Sequence, residues 1–435
     1  MPIKFHQQIA GIPLLLSCAV AMAVPFGSFD TRSMGMGGAG VAAANADAAP
    51  LFNPALLSAA KAHEDFGLIL PTIGVRVADP DKLHDSVTAF QDGNYVNNLQ
   101  TAINTLNAFV VANNAGAIPA AAAAVGSNLT IVSSQLTTLS NKPITIDGGI
   151  ATVIAIPSKN FGAAFYANGI VATGGIFNYS DAATLHTLAN HATTCAGNAA
   201  SPSCATLAAF NTNSLTSGIN FKGITFGEVG FALSHEYKIF NHDIALGITP
   251  KIIKAQLFDI PISVNNTNQT NFSSTDYLAE YSLVNFDLGA AKNYNNGWRT
   301  GLVIKNVIPQ SLDFKRASTA GAIPVATGEQ LTLRPQARIG ISHENSWSTV
   351  AMDVDLTRND PAGFEKATRY IALGGELNAF DWAQLRAGYR VDAENSARNV
   401  ASLGLGISPF GVHADLAVAG NANEIGASFQ LGFRF

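Results

Sequence analysis

The chain has 435 residues, of which only 13% are charged, and a formal net charge of −5. An ordinary soluble domain carries about 25% charged residues, and no basic cluster is present to meet nucleic acid. Transmembrane helices do not explain the low charge, because beyond residue 24 no apolar run approaches the roughly 18 residues a spanning helix needs. Hydrophobicity is instead spread as period-two alternation, the signature of a transmembrane β-barrel.

Residues 1–23 read as an export signal. Lys4 supplies the positive start, Ile9 to Val20 an apolar core, and Ala21-Met22-Ala23 a small-x-small cleavage site. Cys18, in Leu15-Leu16-Ser17-Cys18, offers a competing lipidation site, but Leu16 is larger than the small residue such sites use. Export leaves Cys195 and Cys204 as the cysteines of the mature chain, nine positions apart. In an oxidising compartment their simplest state is a disulfide. His186 and His191 lie just upstream, so a His/Cys metal site stays open, although the spacing fits no standard pattern.

Two short elements follow, Phe29 to Val41 and Asp47 to Ser58. The first is rich in glycine, which permits a tight backbone in a confined space. In the second, Asn53-Pro54 fixes a turn. A phosphate-binding loop is the competing reading, and it lacks both the preceding strand and the following Lys-Ser/Thr. The run Arg32-Ser33-Met34-Gly35-Met36-Gly37-Gly38-Ala39-Gly40, with Asp47-Ala48-Ala49 and Asn53-Pro54-Ala55-Leu56-Leu57, resembles the hatch of the FadL/TodX outer-membrane transporter superfamily. Within it the chain is most similar to the TraF-like conjugal transfer branch. The thioredoxin-like proteins that share the TraF name are not implied, since no Cys-x-x-Cys occurs. The resemblance implies a hatch over 24–62, with Arg32, Gly35, Gly37, Gly38, Asn53 and Pro54 as its motif. It also implies a barrel over 63–435 and extracellular helical loops that act as lid or landing site.

The first long loop, about 80–142, is helical in pattern. Leu99, Ile103, Leu106 and Val110 form one apolar stripe, and Leu129, Val132, Leu136 and Leu139 a second. Ser127 or Asn128 could cap the second helix. The stripes serve equally as mere packing or as a hydrophobic landing site. The second loop, about 180–217, carries the two cysteines.

About fourteen strands follow from the alternation, starting near Asp65, Ile144, Asn160, Ile219, His242, Ala279, Trp298, Glu329, Ser348, Ala367, Trp382, Asn399, Val412 and Glu424. The connections alternate between long and short, as expected for extracellular loops and periplasmic turns. An even count returns the C-terminus to the periplasm. The final run, Glu424 to Phe435, alternates without error and ends on phenylalanine, which resembles the strand by which such barrels are recognised for assembly.

Charges keep to one parity. In the strand near Glu329, Leu331, Leu333, Ala337, Ile339 and Ile341 face lipid, while Arg334, Gln336, Arg338 and Ser342 face in. In the next, Val350, Met352, Val354 and Leu356 face out, with Asp353 and Asp355 inward. Gln384, Arg386, Arg390, Asp392, His413, Asp415, Asn285 and Asp287 are also inward. A charge facing lipid at mid-depth costs roughly 2–4 kcal/mol, so this parity sets the register. The turn near Glu344-Asn345-Ser346 sets Arg338 opposite Asp353, and the turn near Phe380 sets Arg386 opposite Glu376. The array reads either as charge pairing in a polar interior or as an ion-selective or catalytic set. No serine sits in a nucleophile setting, so catalysis is not expected and no cofactor is called for. The sequence expectation is an outer-membrane barrel for passive uptake of hydrophobic small molecules, such as long-chain fatty acids or aromatic hydrocarbons. Its partners would be outer-membrane lipid, an apolar ligand and the barrel assembly machinery. The alternative is a structural part of a conjugation or secretion apparatus.

Overall fold

The computed structural model describes residues 29–59, 65–264, 275–317, 322–359, 364, 366–380 and 382–434. The expected export signal, Cys18, the expected boundary at 62–63 and Phe435 lie outside the described residues. Along residues 424–433 the even positions are buried and the odd ones exposed, so each strand has a lumen face and a lipid face.

The hatch contains the short helices α1 (Thr31–Gly35) and α2 (Ala49–Phe52) and a 3₁₀ turn at Pro54–Leu57. The strands are β1 (Gly67–Ala78), β2 (Pro143–Ile156), β3 (Gly162–Asn178), β4 (Gly218–Ile239), β5 (His242–Ser263), β6 (Leu278–Asn293), β7 (Trp298–Lys305), β8 (Gln310–Arg316) and β9 (Val325–Leu333). They continue with β10 (Gln336–Glu344), β11 (Ser348–Asp355), β12 (Tyr370–Ala379), β13 (Ala383–Asp392), β14 (Val400–Ile407), β15 (Val412–Gly420) and β16 (Glu424–Arg434). All except β8 and β9 form one closed antiparallel barrel of fourteen strands, sealed by β1 pairing with both β2 and β16. Closure leaves no unpaired edge to face lipid.

The lipid face is apolar, with Ile150, Ile252, Leu403, Leu405 and Ile425 among its exposed side chains. The short turns carry exposed aromatics: Phe161, Phe240, Tyr294, Trp347, Phe380, Trp382 and Phe410. This belt anchors the rim at the headgroup level. Phe240, Phe380 and Phe410 accept left-handed φ values of 47°, 56° and 55° to stand there, a conformation bulky residues normally avoid.

Three expectations need correction. The strand predicted from Glu329 splits at Pro335, which has no amide to give a ladder. Its first part, with Leu331 and Leu333, pairs with Gln310–Arg316 as a separate hairpin. Leu331 and Leu333 are therefore fully buried inside the molecule rather than facing lipid, and Arg334 is exposed rather than inward. The long–short alternation also weakens at the end, since only residues 421–423 join β15 to β16. In the first loop, one helix runs from Ile118 to Leu139, so Ser127 and Asn128 are mid-helix, with Ser127 Oγ donating to Ala123 O (3.1 Å) and Asn128 Nδ2 to Ala124 O (2.9 Å). The alanine run continues the helix because alanine has the strongest helical preference.

Five helices cap the long-loop rim: α3 (Leu83–Asp92), α4 (Tyr95–Val111), α5 (Ile118–Leu139), α6 (Ala182–Gly197) and α7 (Pro202–Ala208). Leu99, Ile103, Leu106, Leu129, Val132, Leu136 and Leu139 form their common core with Leu185 and Leu207. Cys195 and Cys204 are disulfide-bonded within it, tying α6 to α7 at a Cα–Cα distance of 4.9 Å. Both thiols are thereby consumed, leaving none for a metal. His191 Nδ1 lies 3.0 Å from Ser203 Oγ, and His186 is exposed.

Candidate functional site: the hatch-lined lumen

The hatch is bolted to the wall by charge. Asp30 caps α1 by accepting from Ser33 N at 2.7 Å, fixing the first turn, which carries Arg32 toward β12. Arg32 Nε and Nη2 donate to the two oxygens of Glu376, each at 2.8 Å, and Nη1 donates to Ala43 O at 2.5 Å. Glu376 also accepts from Arg386 Nε (2.6 Å), whose Nη1 donates to Asp415 Oδ1 (2.6 Å). Asp415 Oδ2 lies 3.1 Å from His413 Nδ1, and His413 Nε2 lies 3.2 Å from Asp47 Oδ2. The chain of charges thus leaves the hatch at Arg32 and returns to it at Asp47. Each member of this chain has an oppositely charged neighbour, although His413 Nε2 and Asp47 Oδ2 meet as an ion pair without a hydrogen bond.

Arg386 and Glu376 are opposite in register. Arg338 is not opposite Asp353. It pairs with Asp355, Nε to Oδ1 at 2.5 Å, while Gly340 faces Asp353. The β10–β11 turn is centred one residue later than expected, because Asn345 Oδ1 accepts from Trp347 N (3.0 Å) and Ser348 N (2.8 Å). That shift moves every partner by two. Asp353 instead receives the hatch, accepting from Gly40 N (2.8 Å) and Val41 N (2.9 Å) at its Oδ2.

The motif residues all serve this seating. Gly37 has φ 70°, and a Cβ on it would lie 2.7 Å from Leu373 O. Its amide donates to Ser402 Oγ at 3.0 Å, and that hydroxyl donates to Gly35 O at 3.1 Å. Gly38 has φ 96° with open space around it. Asn53 Nδ2 donates to Val41 O and to Ala290 O, both at 3.1 Å, linking the two hatch elements to β6. Pro54 begins the 3₁₀ turn behind it.

The wall answers with paired glycines. Gly374 and Gly388 face each other across β12 and β13 under Met36 and Gly37. Gly301 and Gly340 do so under Val41, Gly74 and Gly149 under Phe29, and Gly247 and Gly289 under Pro54 and Ala55. Each pair makes a pit into which the hatch backbone or ring sinks. Sequence reasoning missed these pits, along with Asp47, Ser402 and Lys305, whose Nζ donates to Leu51 O at 2.6 Å. The available signal was glycine recurring at lumen parity in adjacent strands.

Above the hatch lies a cavity of about 140 Å³. Phe29, Met34 and Phe52 of the hatch and Ile170, Ala172 and Val400 of the wall give it apolar surface. On its charged side, Arg76 binds Asp147 and Glu424, and Arg390 binds Glu424. An apolar cavity of similar size in other proteins stays dry and accepts benzene.

Residues 50–355 match the family described as F plasmid transfer operon, TraF, protein. The chain belongs to this family. No curated protein matches it in sequence. In fold it is similar to the toluene transporter TbuX of Ralstonia pickettii, with 13% identity, a TM-score of 0.51, and 93% of this chain and 98% of that one covered. A TodX deltaS2S3 mutant monoaromatic hydrocarbon channel (12% identity, TM-score 0.50, 93% and 98% covered) is another such structure. A Pseudomonas aeruginosa FadL homologue (11%, 0.50, 95% and 99%) is a third. These likenesses show a shared fold, a closed antiparallel barrel.

Proposed function

We propose that this TraF-family barrel resides in the outer membrane and admits hydrophobic small molecules passively, long-chain fatty acids and aromatic hydrocarbons being the candidate classes. The observation that carries the reading is the cavity above the hatch, where Phe29, Met34, Phe52, Ile170 and Ala172 turn apolar surface into an otherwise charged lumen. An uncharged ligand gains roughly 25 cal/mol for each Å² of apolar surface it buries there. The surrounding charges are already paired, so it need not strip them of water. The structural relatives, a toluene transporter and a monoaromatic hydrocarbon channel, point the same way. A strain deleted for the gene, compared with its complemented parent for growth on oleate and toluene at limiting concentration, tests it. Slower growth on either supports uptake, and equal growth on both counts against it.

The family description favours a second reading, a structural component of a conjugation or secretion apparatus. Copurification of envelope assembly proteins with the intact barrel, and loss of plasmid transfer in the deletion strain, would support it.

A further inference from the structure

The hairpin β8–β9 is amphipathic and folds inward. Leu312 and Phe314 from one arm and Leu331 and Leu333 from the other are fully buried on one face. They cover a strip on the inner wall formed by Ile224, Phe226, Ile253, Ala255, Leu257 and Ala279. Ser311 and Gln330 on the hairpin are exposed. On β5 the outward residues change from Leu246, Ile248 and Ile252 to Lys254 and Gln256 along the strand. The strip therefore lies on a part of the wall that rises above the hydrocarbon layer, where an apolar inner face has no bilayer-related cause.

Among the described residues the hairpin pairs with no other strand. Its links to the wall include Arg316 to Asp259 (2.7 Å), Lys222 to Glu329, and the Tyr281 hydroxyl, which donates to Asp313 O (2.8 Å) and accepts from Asp313 N (3.0 Å). A lone two-stranded ribbon is marginally stable by itself, and each of these ion pairs has one partner open to solvent, which screens it. What seats it is the strip. Ile170 and Ala172 belong both to the strip's cluster and to the lining of the cavity above the hatch, so the two apolar surfaces are continuous.

We infer that the strip is a binding surface for an uncharged, hydrocarbon-like molecule, that the hairpin occupies it as a built-in stand-in, and that entering ligand displaces the hairpin to reach the cavity. The leucine and phenyl groups now on the strip indicate the chemistry it accepts. This rests on the uptake reading.

The test locks the hairpin down in intact cells. Lys222→Cys and Glu329→Cys place thiols on side chains that touch, to be joined by a short bis-maleimide with a reducible centre. The probe is 1-N-phenylnaphthylamine, uncharged and aromatic, whose fluorescence rises once it crosses the outer membrane. Heat-modifiability on gels confirms that the double variant folds. The expected result is a rate that falls on locking to that of cells lacking the barrel and recovers on reduction, with the wild type unaffected by both reagents. A locked barrel that admits the probe as fast as the unlocked one overturns displacement and leaves uptake standing. If unlocked cells admit the probe no faster than cells without the barrel, uptake fails and this inference falls with it.

Discussion

Arg32 and Glu376 meet in a two-pronged ion pair across 344 positions of sequence, both buried, and Glu376 is shared with Arg386. The hatch is thereby part of the wall's own charge network. Removing Arg32 leaves the buried Glu376 with Arg386 as its remaining partner, so the cost should fall below the roughly 3–5 kcal/mol of a fully stranded buried charge. Arg32→Ala should lower the temperature at which the barrel loses its compact gel mobility, and Arg32→Ala with Glu376→Gln should recover part of that loss. A double variant no more stable than the single one would mean the two charges are solvated independently.

The β10–β11 register gives a second test. Asp355→Ala should be rescued more fully by Arg338→Ala than Asp353→Ala is, because Asp353 also holds the amides of Gly40 and Val41. Asp353→Asn keeps an acceptor and should be milder than Asp353→Ala. Thermal gel-shift midpoints of the five variants read this out, and a fuller rescue of Asp353→Ala than of Asp355→Ala would contradict the register.

Adjacent glycines on β12 offer a matched pair. A Cβ on Gly374 would lie 2.3 Å from Met36 O, while one on Gly375 meets nothing closer than 3.9 Å. Overpacking costs roughly 1–3 kcal/mol, so Gly374→Ala should destabilise the hatch and Gly375→Ala should not. Limited proteolysis within residues 29–59 distinguishes them, and equal behaviour would show that the pits do not hold the hatch.

Fourteen barrel strands and the inward parity of Arg386, Asp415 and Asn285 were legible because lipid tolerates no other alternation. The β8–β9 hairpin was not, since Leu331 and Leu333 carry the same alternation whether they meet lipid or an inner wall. Only Pro335 marked the break. The Arg338 partner was misplaced because the turn centre depends on the Asn345 side chain, which a pattern of apolar residues does not encode. The hatch motif was recognisable, but its contacts were not, because the wall supplies them from strands hundreds of residues away.

The helical cap carries a pH dependence. Burial raises the pKa of Asp181, but hydrogen bonds from Ser217 and Thr216 outweigh it and hold the carboxyl below its ordinary value. A carboxylate depressed in the folded state contributes stability above its unfolded pKa, near 3.9, and loses it as pH falls through the lower folded value. Protease cutting within 180–217 should thus be flat from neutral pH to about 4 and rise below that. Asp181→Asn should cut faster at neutral pH and lack the acid-dependent rise. A wild-type loop equally resistant across that range would contradict the assignment.

The central claim is passage through the cavity above the hatch. Ala419 lines it and is only half-buried, so Ala419→Trp fills it without forcing the wall apart. The decisive measurement is the initial rate of radiolabelled toluene and oleate uptake by cells carrying the wild-type barrel, the folded Ala419→Trp barrel, or none. The account predicts that the filled barrel drops to the rate of cells with no barrel for at least one of the two compounds. Uptake of both at the wild-type rate through the filled barrel would contradict it.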